Sequence, residues 1–159
     1  MGNRAIPYFC LMNPVNMINS NVLDLHPFTN PTEMRLPFVG GISAGFPSPA
    51  DDYLAEQIDL SLELVKNPSA TFVGRVRGNS MMDMGICNND IVVIDRSLEP
   101  RDGKVAVCVV DGEFTLKRIK IDTHCVWLMP ANEQFQPIKV TPDNELIIWG
   151  ILVHVIKSF

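Results

Sequence analysis

Short apolar runs separated by turn residues dominate the chain from about Thr71 onward. Seven of these runs are rich in the β-branched and aromatic residues that favour strands. They are Thr71–Arg77, Ile91–Asp95, Lys104–Val110, Glu113–Lys120, Cys125–Met129, Ile138–Val140 and Leu146–Ile156. The best helix candidate is short, Leu60–Lys66, between an Asp59 N-cap and Asn67-Pro68. The pattern therefore predicts a mainly β body.

The dipeptide Asp111-Gly112 separates two of the predicted strands. Both positions tolerate the positive φ that a two-residue hairpin turn needs, so Val110 and Glu113 are expected to pair. Side chains alternate between the two faces of a strand, which places Lys117 in mid-strand on the same face as Thr115.

The N-terminal segment has a different composition. Of the 12 prolines, seven lie in the first 49 residues, and only four of residues 1–44 are charged. Proline removes a backbone donor and interrupts helical periodicity, so we expect an arm that is extended or partly disordered. A helix-turn-helix needs two helices and a basic face, and the arm provides neither.

Composition and charge limit the class of protein. The chain has 159 residues, 47% hydrophobic and 19% charged, enough for one globular domain and too few for a two-domain enzyme. Its 13 Lys and Arg against 18 Asp and Glu, a net charge of −5, disfavour broad binding to phosphate backbones. Its longest apolar stretch, Ile147–Ile156, is too short for a membrane helix, and the first residues do not resemble a signal peptide. We expect a cytoplasmic protein.

The cysteines and histidines do not form a recognisable chemical motif. The cysteines show no C-x-x-C spacing and are expected to be reduced thiols: Cys10, Cys87, Cys108 and Cys125. We expect neither a metal nor a cofactor. The histidines lie in the arm, a turn and an apolar terminal strand, so a Ser-His-Asp triad is not indicated: His26, His124 and His154.

Two residues have alternative interpretations. Ser80, in Gly78-Asn79-Ser80-Met81, resembles the first residue of a capping box with Asp83 in the fourth place. It is also a candidate nucleophile, because backbone N–H groups at the start of a helical turn can bind an oxyanion. Lys117 belongs to a basic run and is either solvated or a buried, neutral amine that acts as general base.

Three motifs, in order along the chain, carry a family resemblance. They are Ala44-Gly45-Phe46-Pro47-Ser48-Pro49-Ala50-Asp51-Asp52-Tyr53, then Gly78-Asn79-Ser80-Met81 followed by Gly85-Ile86, and Val110-Asp111-Gly112-Glu113-Phe114-Thr115-Leu116-Lys117-Arg118. The chain from about Leu36 to the C-terminus resembles the UmuD-like members of the LexA-like self-cleaving serine proteases, which act in the bacterial DNA-damage response. The resemblance implies a mainly β, LexA/signal-peptidase-like domain with an extended N-terminal arm.

The resemblance also implies residue roles and partners. It implies cleavage of the Ala44-Gly45 bond, which divides the chain into an arm, 1–44, and a Ser-Lys protease-like domain, 45–159. Ser80 is then the nucleophile, Lys117 the general base, and the backbone N–H groups of Asn79 and Ser80 the oxyanion donors. A RecA nucleoprotein filament is expected to stimulate cleavage, and the trimmed homodimer to join a UmuC-type translesion DNA polymerase as its accessory subunit.

Two departures from the UmuD-like pattern leave other functions open. The first is the arm, which is longer than expected and shows no resemblance in its first 35 residues. The second is the cleavage pair, which is Ala-Gly as in LexA. A LexA-like transcriptional regulator is one alternative, although the arm is short and proline-rich for a DNA-binding domain, and sequence-specific DNA binding is not expected. A non-catalytic interaction module, with Ser80 only a helix cap, is another. Signal peptidases share the Ser-Lys pair, but the chain shows no membrane anchor.

Overall fold

Antiparallel strands make up about half of the described residues, which are 23–28, 33–38 and 56–159 of a computed structural model. The strands are β1 Leu23–Pro27, β2 Arg35–Phe38, β3 Glu56–Asp59, β4 Thr71–Val76, β5 Ile91–Asp95, β6 Val105–Val110, β7 Glu113–Ile121, β8 Val126–Met129, β9 Ile138–Val140 and β10 Leu146–Ile156. One α-helix, α1 Leu60–Leu64, and the 3-10 helices Pro68–Ala70 and Met82–Met84 complete the elements of this part of the chain. The mainly β fold class is confirmed.

Two sheets organise these strands. The larger has eight strands in the order β1-β4-β5-β10-β6-β7-β8-β9, and the smaller is the antiparallel pair β2-β3. The long strand β10 joins the halves of the large sheet, because it pairs with β5 on one side and β6 on the other. Its register shifts at two places, between Ile148 and Gly150 and between Leu152 and His154. Such bulges bend a strand and increase its twist.

The predicted body agrees closely with the structure. Three predicted strands have the observed bounds, and the other four differ by one residue at one end. Val110 pairs with Glu113, and the turn residues Asp111 and Gly112 have φ of 49° and 86°, as a two-residue hairpin requires. The Asp59 cap is also confirmed, since its carboxylate accepts from two N–H groups of the first turn of α1. The helix ends at Leu64, two residues earlier than predicted, because the next residue is extended.

The N-terminal segment departs from the prediction. No strand was predicted before Thr71, yet β1 joins the edge of the large sheet and β2 pairs with β3. Proline is tolerated in an edge strand when its nitrogen faces away from the neighbouring strand. In 23–28 and 33–38, the described parts of the arm, there is no helix, and the proline-rich composition did not indicate the pairing at an edge.

Buried side chains form two clusters. The first contains Val76, Met81, Ile86, Val92, Ile94, Val105, Val107, Phe114, Leu116 and Trp149. The second contains Ala106, Cys108, Ile119, Leu128, Leu146, Ile148 and Ile151. Strand β7 contributes to both, because Phe114 and Leu116 alternate with Lys117 and Ile119. Its central residues are thus covered on both faces. None of the helices in the described ranges is long and apolar enough to cross a membrane.

Candidate active site

The loop after β4 carries Ser80 and is held in place by the residues before β5. Gly78 has φ of +95°, which glycine adopts readily and other residues rarely do. Its N–H donates to Asn88 Oδ1 at 2.9 Å, and the Asn88 N–H donates to Asn79 Oδ1 at 3.1 Å. Two reciprocal hydrogen bonds therefore fix the residues directly before Ser80.

A second set of hydrogen bonds holds the other side of this loop. Ser80 O accepts from the Ala131 N–H at 2.8 Å, and Ala131 O accepts from the Asp83 N–H at 2.8 Å. Asn132 Nδ2 donates to Asn79 O at 2.9 Å. The position of Ser80 is thus set largely by main-chain contacts, which leave its hydroxyl free for other partners.

The capping-box interpretation of Ser80 is wrong. The helical turn that follows is Met82–Met84, its N-cap is Met81, and no side chain caps it. The Ser80 hydroxyl instead accepts a hydrogen bond from Lys117 Nζ at 2.8 Å. The serine side chain is engaged with the lysine and does not stabilise the turn.

Lys117 is buried, with 7% of its surface exposed, so the solvated interpretation is also wrong. Besides Ser80 Oγ, its Nζ donates to Thr115 Oγ1 at 2.9 Å and to Leu116 O at 3.1 Å. None of the ion pairs found among the described residues involves Lys117. The amine is therefore surrounded by neutral hydrogen-bonding groups.

Burial lowers the pKa of Lys117 below its ordinary value of 10.5, because desolvation penalises the charged form. The nearby Cys108 acts in the opposite direction and only partly offsets this effect. A neutral amine has two N–H donors and one lone pair. If Thr115 and the Leu116 carbonyl accept the two N–H groups, the lone pair faces the Ser80 hydroxyl. The arrangement can thus accept the serine's proton.

A cleft of about 200 Å³ lies beside the two side chains. Its other lining residues include the apolar Val76, Met81 and Phe135, which suit an uncharged segment of peptide. Asn79 and Ser80 also line it, and neither of their N–H groups has an acceptor among the described residues. These N–H groups are available to bind an oxyanion.

Comparison with known proteins identifies the family of the chain. Residues 37–153 match the family described as Peptidase S24-like. The chain belongs to this family. One relative is protein MucA of Salmonella typhimurium, 43% identical over 114 residues, which cover 71% of this chain and 77% of MucA. Another is protein ImpA of Shigella flexneri, 37% identical over 119 residues, 75% of this chain and 81% of ImpA.

A repressor is also among the relatives of the chain. LexA repressor 1 of Pseudomonas syringae pv. tomato is 37% identical over 128 residues, which cover 80% of this chain and 63% of the repressor. Family membership confirms the assignment to the LexA-like group that the three sequence motifs indicated.

Other predicted positions lie away from the cleft or outside the described residues. Ala44 and Gly45 are among the latter, as is Cys10. None of the three histidines is among the residues that line the cleft: His26 is on β1, His124 in a turn and His154 on β10. In the described ranges, Cys87, Cys108 and Cys125 are not in disulfide bonds.

Sequence reasoning did not identify three residues that build this site. Asn88 and Asn132 hold the Ser80 loop, and Thr115 holds the amine of Lys117. Thr115 could have been predicted from the sequence, because it lies two residues before Lys117 on the same face of a strand. The asparagines were not, since their partners are distant in sequence.

Proposed function

We propose that the chain is a self-cleaving serine peptidase that cuts its own Ala44-Gly45 bond, with Ser80 as nucleophile and Lys117 as general base. The observation that carries the proposal is the 2.8 Å hydrogen bond between Ser80 Oγ and a buried lysine. A serine hydroxyl needs an adjacent base to become nucleophilic, and a lysine with a lowered pKa can supply one. Membership of the S24-like peptidase family supports the same chemistry.

The proposed reaction has two stages. Lys117 Nζ takes the Ser80 proton while Oγ attacks the Ala44 carbonyl carbon, and the backbone N–H groups of Asn79 and Ser80 stabilise the oxyanion. Protonated Lys117 returns a proton to the Gly45 nitrogen as the peptide bond breaks, which leaves an ester between Ala44 and Ser80. Water, deprotonated by Lys117, attacks the ester carbonyl carbon, and Lys117 returns that proton to Ser80 Oγ as the ester bond breaks. The products are the arm, 1–44, and the body, 45–159.

The small sheet supports a substrate that belongs to the same polypeptide. Phe38 at the end of β2 is paired with Glu56 at the start of β3. The chain segment that carries the cleavage bond, 39–55, therefore starts and ends at one place on the body. Tethering raises the effective concentration of a substrate, so a dedicated binding pocket for free peptide is unnecessary.

The proposal extends to the biological setting of the S24-like relatives. We propose that a RecA nucleoprotein filament stimulates cleavage by favouring the docked state of the segment around Ala44-Gly45, without supplying catalytic groups. The trimmed body then acts in the cytoplasm as a homodimer with a UmuC-type translesion polymerase, in the SOS response to DNA damage. The motif resemblance and the relatives MucA and ImpA support this setting.

The cleavage itself is the direct test. Purified protein is incubated at increasing pH, with and without RecA, nucleotide and single-stranded DNA. The masses of the products are then measured by mass spectrometry. We expect one product that ends at Ala44 and one that begins at Gly45, formed faster with RecA filaments. A chain that stays intact under every condition contradicts the proposed function, and a cut elsewhere contradicts the assigned bond.

A LexA-like transcriptional regulator is the second candidate, because a LexA repressor is among the relatives. It predicts that the intact chain retards a specific operator DNA and that cleavage abolishes the shift. The interaction-module alternative assumed that Ser80 caps the following turn, and no side chain caps that turn.

Thr115 provides a graded test of the lysine's environment. Thr115→Val keeps the shape of the side chain but removes one of the two acceptors for the neutral amine, and we expect cleavage to slow about tenfold, the loss of one hydrogen bond of about 1.4 kcal/mol. Thr115→Ser keeps the hydroxyl and is expected to retain most of the rate. The fraction cleaved over time, read from denaturing gels, measures both. Equal rates for the valine and serine variants would remove Thr115 from the mechanism.

A further inference from the structure

The arm before the proposed cleavage bond supplies the outermost strand of the large sheet. β1 pairs antiparallel with β4 over five residue pairs, from Leu23 opposite Val76 to Pro27 opposite Phe72. Among the described residues, no other strand pairs with that side of β4. The edge of β4 is thus covered by a part of the chain that cleavage separates from the body.

At alternate residues of β4, the backbone N–H and C=O groups point toward β1. The Phe28 N–H, directly after β1, donates to Thr71 O at 3.0 Å. Backbone groups in an antiparallel pair face the partner at every second residue, so Thr71, Val73 and Arg75 direct their N–H and C=O groups toward β1. The residues between them direct theirs toward β5.

β1 protects the edge of the sheet from pairing with a further strand, whereas β4 has no such protection. Pro27 is opposite Phe72, whose backbone groups face β5, so the Pro27 nitrogen lies on the outer side of β1. A proline on that side cannot donate to a further strand and protects the edge from pairing. β4 contains no proline, so its edge can accept a strand when β1 is absent.

The side chains around β1 indicate what this edge accommodates. Leu25 is half-buried against the first core cluster and is opposite the buried Gly74. The next residue, His26, is exposed. Arg75 is exposed and opposite Asp24 in the register. The edge therefore suits an apolar residue opposite Gly74 and an acidic residue opposite Arg75.

We propose that the β4 edge is a docking site for an extended peptide segment of another protein, which replaces β1 once the arm has been cut off. The segment carries an acidic residue opposite Arg75 and then an apolar residue opposite Gly74, and it binds by strand addition. This inference rests on the proposed self-cleavage. Before the cut, the covalent tether keeps β1 at a high effective concentration and excludes the segment. After the cut, non-covalent contacts alone hold the arm, among them the pairings of β1 and β2 in the described residues, and dilution releases it.

The test separates docking from self-cleavage. The full chain carries Ser80→Ala and, between Ala44 and Gly45, a recognition sequence for an added site-specific protease. A fluorescent peptide of residues 21–30 is the probe, and anisotropy measures its binding after gel filtration. We expect the cut chain to bind the peptide about tenfold more tightly than the uncut chain, and Leu25→Lys in the peptide to weaken binding about tenfold. His26→Lys, the matched control, leaves the affinity unchanged.

Backbone methylation identifies the mode of binding. Methylation of the His26 nitrogen, which faces β4, is expected to abolish binding, whereas methylation of the Leu25 nitrogen, which faces outward, is expected to preserve it. Equal binding by cut and uncut chains, or equal effects of the two methyl groups, overturns the proposal. Retention of the arm on the body through gel filtration also overturns it, because the arm is then the lasting occupant. Failure of the unsubstituted protein to cleave itself bears on the proposed function alone.

Discussion

Ser80→Ala is expected to leave the chain intact under conditions in which the unsubstituted protein converts to its two products. In the proposed mechanism the substitution removes the atom that attacks the Ala44 carbonyl, and loss of a nucleophile typically costs about a thousandfold or more in rate. Time courses analysed by mass spectrometry, with and without RecA filaments, measure the effect. The oxyanion donors remain in place, but they have no covalent intermediate to stabilise.

The structure makes this substitution informative, because little else depends on the Ser80 side chain. The loop is held through the Ser80 carbonyl and through Asn79, and neither group changes in the variant. We therefore expect an unfolding midpoint close to that of the parent. Ser158→Ala, at an exposed serine near the C-terminus, is the matched control and is expected to cleave normally. Cleavage of Ser80→Ala at the parental rate would show that another group attacks the bond.

The sequence predicted the β body well because its local signals agree with its long-range pairing. The runs that form β5, β9 and β10 are bounded by turn residues, and Asp111-Gly112 fixes the register of β6 and β7 through its own geometry. β1 lacks such signals. It pairs with the edge of β4, which lies more than forty residues away in the chain. The residues around β1 do not indicate that pairing.

Ser80 and Lys117 were predicted from the sequence as a candidate pair, but the burial of Lys117 was left open. Ser80 and Lys117 are 37 residues apart, and only the fold brings their side chains to 2.8 Å. The basic run around Lys117 suggested solvent exposure, and its neighbours Arg118 and Lys120 are indeed exposed. Strand alternation places Lys117 on the other face. Its amine also contacts the Ser80 loop through the hydrogen bond to Ser80 Oγ, and local sequence does not determine where that loop lies.

Lys117→Arg is expected to abolish self-cleavage at every accessible pH. An arginine keeps a positive charge and hydrogen-bond donors but does not lose its proton, so it cannot act as general base. In the parent, the protonated amine is inactive and the neutral fraction grows with pH. The rate should therefore rise with pH and level off above the lowered pKa of Lys117, below the ordinary 10.5. Rates measured across alkaline pH for parent and variant test this expectation.

Lys120→Arg is the matched control, because Lys120 lies on the same strand but is exposed on the other face. It is expected to keep the parental rate and pH profile. A pH profile unchanged by Lys117→Arg would assign the base to another group. Loss of cleavage in Lys117→Arg through misfolding is distinguished by far-UV circular dichroism and by the unfolding midpoint.

Stability provides a second readout of the same lowered pKa. Between the folded pKa of Lys117 and the unfolded value near 10.5, the unfolded chain binds more protons than the folded chain at this site. Stability should therefore rise with pH across that window, and burial of the amine costs stability at neutral pH. Lys117→Met removes the titrating group, so we expect higher stability than the parent at pH 7 and a difference that shrinks toward pH 10. Denaturant unfolding of both proteins at the two pH values measures that difference. A constant difference would mean that Lys117 keeps its ordinary pKa, and the amine would then be charged, and unable to act as base, at neutral pH.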